Sequence, residues 1–256
     1  IKKGESVVFA ASTSQCKPST LKRLFEAEVD ERTPRDNFFH CLINAAHQFH
    51  IHEKNDDRYI LAGYPWFKSR ARDTFISLPG LTLSIEEDDY FELVMQTAEV
   101  ALREFMEGKP LTKHVYEIEQ PDVPLWAIWA IQQYAKECGR EKCVSKYRRL
   151  VLDILKYIEK GSHPNLQLHE NGLLYAKSSH GEAITWMNST ANGRLVVPRT
   201  GYIVEFNALW YNALLFGAYM LDDGDVMKEH LQQVASLVKQ SFIDVFLNEY
   251  GYLYDY

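Results

Sequence analysis

Apolar residues recur at helical spacing through nearly the whole chain, and this periodicity limits the possible folds more than any other feature. It predicts helices at roughly 35–50, 72–84, 88–107, 123–138, 141–160, 204–221 and 225–247. Punctuation residues frame several of them: Thr33-Pro34 before the first, Gly108-Lys109-Pro110 after the third, Gly139 between the fourth and fifth, and Gly161 after the fifth. The second, fourth and sixth helices are apolar and aromatic, whereas the third, fifth and seventh carry more charge on one face. A helix that is apolar on most sides belongs inside, and one with a charged face belongs outside. The alternation therefore predicts an all-α fold with two concentric layers of helices, as in an α/α barrel.

Two stretches depart from helical period. Residues 5–11, "ESVVFAA", form a β-rich run, expected as a short β segment at the N-terminus. On that reading residues 1–15 end a preceding β-rich domain or linker, and residues 16–256 form the helical domain. Segment 161–203 contains "NGLLYA", a turn and a strand, and "NGRLVVPRTG", a hairpin-like loop with Gly193, Pro198 and Gly201. A loop this long inside a helical domain usually carries function.

Composition narrows the partners. With 256 residues and 46% apolar content the chain can bury a substantial core. Its net charge of −7, without a basic run, disfavours nucleic acid and anionic membranes and suits a neutral ligand. No apolar stretch reaches membrane-spanning length and the first residues do not read as a signal peptide, so a cytoplasmic protein is expected. Cys16, Cys41, Cys138 and Cys143 lack metal-ligand or redox spacing and read as reduced thiols. His47, His50 and His52 lack a carboxylate set to complete a metal site and read as solvent-facing or core residues. Neither metal nor cofactor is expected.

The unusual residues gather at the starts of the apolar helices. Arg72 and Asp73 open the second, Asp122 stands ahead of "VPLWAIWA" at the fourth, and "VEFNALWYNAL" opens the sixth from Val204. If these helices run parallel, their N-termini share one rim, where unpaired N–H groups and helix dipoles hold polar groups. Carboxylates, guanidinium and indole around a cup suit a carbohydrate, since sugars offer hydroxyls to Asp and Arg and ring faces to Trp and Tyr.

The stretches "AGYPWFKSRARDTFISLPGL", "DVPLWAIWAIQQY", "NGLLYA", "TWMN" and "VPRTGYIVEFNALWYNAL" resemble, in order, the glucosidase domain of glycogen debranching enzymes, the amylo-α-1,6-glucosidase type with an (α/α)6 barrel. The resemblance implies an inverting glycoside hydrolase that removes α-1,6-linked glucose from glycogen or a related α-glucan. It implies that Arg72 and Asp73 bind the hydroxyls of the terminal glucose, beside Tyr64, Trp66 and Trp186. Asp122, Trp126, Glu205, Asn207 and Trp210 would make further glucose or acceptor contacts, with Trp129 and Tyr211 in the core. Plainer roles stay open: Asp73 and Asp122 as helix caps, Arg72 as a solvated cation, and Glu205 as a first-turn carboxylate suited to the dipole.

This chain departs from the family pattern at Asn188, where the general acid, an Asp, is expected. An amide donates a hydrogen bond but delivers no proton at neutral pH. Glu182 and Glu205 are the nearest substitutes in sequence. A catalytically impaired glucan-binding homologue is the alternative, as is a glucoamylase- or trehalase-like (α/α)6 hydrolase. Six helical hairpins make the family's barrel, so about seven helices imply an incomplete toroid, with the base carboxylate expected beyond Tyr256. A partial barrel exposes the apolar sides of its inner helices.

Overall fold

The computed structural model describes residues 2–64, 66–178 and 181–256. The chain divides into two compact units, Ile1–Phe49 and His50–Tyr256.

In the first unit, α1 (Leu21–Glu31) follows a 3-10 turn, and α2 (Phe38–His47) follows an extended Asn37. The Asn37 side chain accepts from the His40 backbone N–H at 2.9 Å, so the cap sits three residues after Pro34 and starts the helix later than Thr33-Pro34 predicts. The strand expected at residues 5–11 is corrected here: the segment has no regular structure and leaves Phe9 87% exposed. A β-rich composition makes a strand only beside another strand, and none pairs with it among the described residues. The helix at 21–31 adds to the seven predicted from periodicity. Its apolar positions, Leu24, Phe25 and Val29, are separated by charge and remain exposed.

The second unit starts with an antiparallel hairpin, β1 (His50–His52) and β2 (Arg58–Ile60). Six helices follow: α3 (Ala71–Leu81), α4 (Asp88–Met106), α5 (Val123–Cys138), α6 (Arg140–Glu159), α7 (Val204–Tyr219) and α8 (Val226–Phe246). Between α6 and α7, β3 (Leu166–Leu168), β4 (Leu174–Ala176) and β7 (Gly201–Tyr202) form an antiparallel sheet in the order β3-β4-β7. A small hairpin, β5 (Thr190–Ala191) and β6 (Arg194–Leu195), turns through Asn192-Gly193. Both turn residues have positive φ, 52° and 74°, the geometry in which Asn-Gly is favoured.

One layer consists of α3, α5 and α7, and its helices point the same way. Arg72 in the first turn of α3 meets Asp122 just ahead of α5. Midway along the next pair, Asn212 of α7 donates to Gln132 of α5 at 3.0 Å. Further on, Leu215, Phe216 and Tyr219 share a cavity of about 400 Å³ with Ala135 and Lys136. Depth along one helix thus matches depth along its neighbour, and all three leading ends lie at one rim. Along these helices Ile76, Leu215 and Tyr219 are each about two-fifths open or more.

A second layer includes α4 and α6, joined by Lys142 to Asp88 at 2.6 Å, Lys146 to Glu92 at 2.6 Å, and Arg103 to Asp153 at 2.9 Å. The acidic start of α4 is therefore neutralised by α6 as well as by its own dipole, and the Lys142 hydrogen bond holds the Asp88 carboxyl below its ordinary range. Phe91, Tyr134 and Tyr147 link the layers, with ring centroids 5.0 and 5.3 Å apart along the series. Gly217 lets α7 approach α6 and α8 closely. A Cβ there would lie 2.4 Å from Leu155 Cδ1 of α6 and 3.1 Å from Leu231 Cδ1 of α8. Among the described residues no helix is long and apolar enough to cross a membrane.

His163, after α6, is 2% exposed and packs edge-on against Phe105 and Tyr157. Its Nδ1 accepts from the Asn165 backbone N–H at 3.1 Å. Burial pushes its pKa down to about 4 from 6.5. Above pH 6.5 the ring is neutral whether the chain is folded or not, and its contribution is intact. Between pH 6.5 and about 4 only the unfolded chain takes up the proton, so stability falls by on the order of 3 kcal/mol before levelling off. Urea unfolding across this range should show the decline, and His163→Phe should remove this component of the slope; an unchanged slope would refute the assignment.

Candidate active site

The rim is organised by a buried ion pair. Arg72 Nε donates to Asp122 Oδ2 at 2.7 Å and Nη2 to Oδ1 at 2.8 Å, with Nη2 also 3.3 Å from Gln120 Oε1. Trp126, one turn into α5, donates its indole N–H to Asp122 Oδ2 at 3.1 Å. Arg72 is 8% exposed and Asp122 1%, so the pair is largely out of water. Burial acts to lower the Arg72 pKa, but the hydrogen bond and charge of Asp122 outweigh it and the guanidinium is raised overall. Asp122 stands at the N-cap position of α5, yet its side chain makes no cap hydrogen bond. Its carboxylate turns to Arg72 and Trp126 instead, which answers the capping alternative.

This geometry revises the adjacency of Arg72 and Asp73. Successive helical residues point about 100° apart, so Arg72 turns inward to Asp122 while Asp73 remains exposed in the first turn of α3. Trp126 and Trp129 pack edge-to-face at 5.5 Å and both are half-buried, as is Tyr211. Trp129 and Tyr211 were expected in the core, but they keep part of their surface open. The rim therefore presents an exposed carboxylate, a clamped guanidinium and partly open indole rings, which together can bind hydroxyls and an apolar ring face.

Glu205 occupies the first turn of α7 and has a strong partner that sequence reasoning passed over. Arg199, 4% exposed, donates Nη1 to Glu205 Oε1 at 2.5 Å and Nη2 to Oε2 at 2.7 Å. Its Nη2 also reaches Asp255 Oδ1 at 2.6 Å, and the Asp255 carbonyl accepts from Val204 N–H at 3.0 Å. Burial lowers the Arg199 pKa, but Glu205 and Asp255 together raise it overall. The available signal was Arg199 in "VPRTGYIVEF", six residues before the carboxylate.

Asn207 and Trp210 are fully buried and hold backbone. Asn207 accepts from Leu174 N–H at 2.7 Å and donates to the Leu174 carbonyl at 3.1 Å, docking β4 on α7. Trp210 donates its indole N–H to the Gly172 carbonyl at 3.2 Å. With no accessible surface, neither offers a face to a sugar in this chain. Tyr64 and Trp66 are exposed in the turn ahead of α3, whereas Glu182, Trp186 and Asn188 are exposed in the loop between β4 and β7. The cluster brought together by direct contact is thus Arg72, Asp122 and Trp126.

No curated protein matches the chain. The family described as amylo-alpha-1,6-glucosidase matches residues 43–256, from the middle of α2 through all of the second unit. With that match covering most of its length, the chain belongs to the amylo-alpha-1,6-glucosidase family.

Proposed function

We propose that this protein is a glycoside hydrolase of the debranching type, releasing α-1,6-linked glucose from glycogen or a related α-glucan in the cytoplasm, with its layered helices part of an (α/α)6 toroid. The observation that carries the reading is the Arg72–Asp122–Trp126 cluster at the shared leading ends of parallel inner helices, in a chain of this family. Asp73 binds hydroxyls of the terminal glucose, Arg72 fixes the rim, and Tyr64, Trp126 and Trp186 supply ring faces, whereas Trp66, expected with them, lines a separate groove. Inverting hydrolysis requires a general acid and a base carboxylate ~6.5–9.5 Å apart. Asn188 stands at the acid position, and the base is a residue not yet assigned.

An amide at residue 188 favours a second reading, a glucan-binding homologue with little turnover. Incubation with a branched limit dextrin, followed by proton NMR of the products, separates the two. Slow release of glucose appearing first as the β anomer is expected, since inversion of an α linkage yields β. Binding without release would transfer the assignment to the second reading, and absence of both would remove the glucan from either.

A further inference from the structure

Ahead of α3 the chain builds a second concavity, of about 420 Å³, lined by the β1–β2 hairpin, residues 66–69, and His114 and Tyr116. Neither Arg72, Asp73, Asp122 nor Trp126 lines it. We propose that this groove is a non-catalytic binding site for an α-glucan chain, distinct from the rim that grips the terminal glucose; the inference rests on the glucan reading of the family.

Three observations support it. The groove presents open aromatic surface: Trp66 is 74% exposed, Phe67 44% and Tyr116 41%. The turn carrying Trp66 is tied by Phe67 N–H to the Gly63 carbonyl and by Ala62 N–H to the Lys68 carbonyl, each 3.1 Å. Tyr116 is tied through its own N–H to the Ser69 carbonyl and through its carbonyl to Ala71 N–H, each 2.9 Å. Large rings held outward in this way lose little conformational freedom on binding, and their apolar faces suit the faces of sugar rings.

Polar groups alternate with those rings. Lys68 Nζ lies 4.3 Å above the Tyr116 ring, and His114 Nδ1 is 2.9 Å from Glu53 Oε1. Donors and acceptors of both charges in one open groove match hydroxyls better than an ion, in line with the net charge of −7. The third observation is Ser69, a lining residue only 6% exposed, whose enclosed Oγ has no hydrogen-bond partner among the described residues. A buried hydroxyl left in this state costs free energy unless a ligand or water reaches it.

Isothermal titration of the full chain with maltoheptaose tests the site. Tyr116→Ala is expected to weaken binding by about tenfold, and Trp66→Ala by a similar factor. His114→Ala, which removes an exposed polar contact and a small imidazole ring but none of the large ring faces, is expected to weaken it by about threefold. Unchanged melting temperatures would show that the fold survives, as the exposure of the three side chains leads us to expect. If the unaltered protein binds maltoheptaose and all three variants bind within twofold of it, the groove is overturned and the glucosidase reading stands. If the unaltered protein binds neither maltoheptaose nor glycogen, both fail.

Discussion

Asn188→Asp is expected to raise glucose release from branched limit dextrin by about 10²–10⁴-fold, the usual contribution of a positioned general acid. The leaving glycosidic oxygen must take a proton as its bond to the anomeric carbon breaks, and a carboxylic acid can supply one where an amide cannot. The substitution is isosteric, and Asn188 is exposed in the loop ahead of β5, so the core should be unaffected. Of the two substitute carboxylates, Glu205 has both oxygens engaged by Arg199, and Glu182 is the second acid to compare. Initial rates of β-glucose formation for the two proteins, measured at equal substrate, decide the matter. An unchanged rate would remove residue 188 from the acid position, and a Glu182→Gln variant that abolished the basal rate would assign the role there.

The largest effect on stability is expected from Asp122→Ala, at about 3–5 kcal/mol. Removing the carboxylate leaves the Arg72 guanidinium in a site only 8% exposed, without its bidentate partner, and leaves the Trp126 indole N–H without its acceptor. The attraction within the pair does not set this cost; the uncompensated buried cation does. Replacing both partners by apolar residues of similar size, Arg72→Met with Asp122→Leu, should therefore recover most of the stability while leaving the rim unable to bind a sugar. Urea midpoints for the single and double variants check the first claim, and titration with glucose checks the second. A double variant no more stable than Asp122→Ala would show that the cost comes from packing instead.

Periodicity and caps predicted α3 to α8 closely because each helix buries a stripe against a neighbour, and that stripe is written into the chain at helical spacing. The same logic missed α1, whose Leu24 and Phe25 stay about half exposed, and overstated residues 5–11, where strand formation depends on a partner that composition does not reveal. At the rim, the motif stretches pointed to the correct helix ends. They could not show that Arg72 pairs with Asp122, fifty positions away, in preference to its neighbour Asp73, because side-chain direction depends on how α3 and α5 pack. Asn207 and Trp210 illustrate the converse: polar and aromatic residues beside a motif can be needed by the scaffold, here to hold β4 and Gly172. Arg199 was visible in the sequence, but its importance emerged only when the sheet returned it to the first turn of α7.

The contact between Gly217 and Leu155 also couples the sizes of two positions far apart in sequence. A methyl group can appear at 217 only if the leucine side chain retreats or shortens, and a smaller residue at 155 would leave a void that the glycine cannot fill. Substitutions at these two places should be tolerated together more readily than one at a time, so that relatives of this chain trade volume between them.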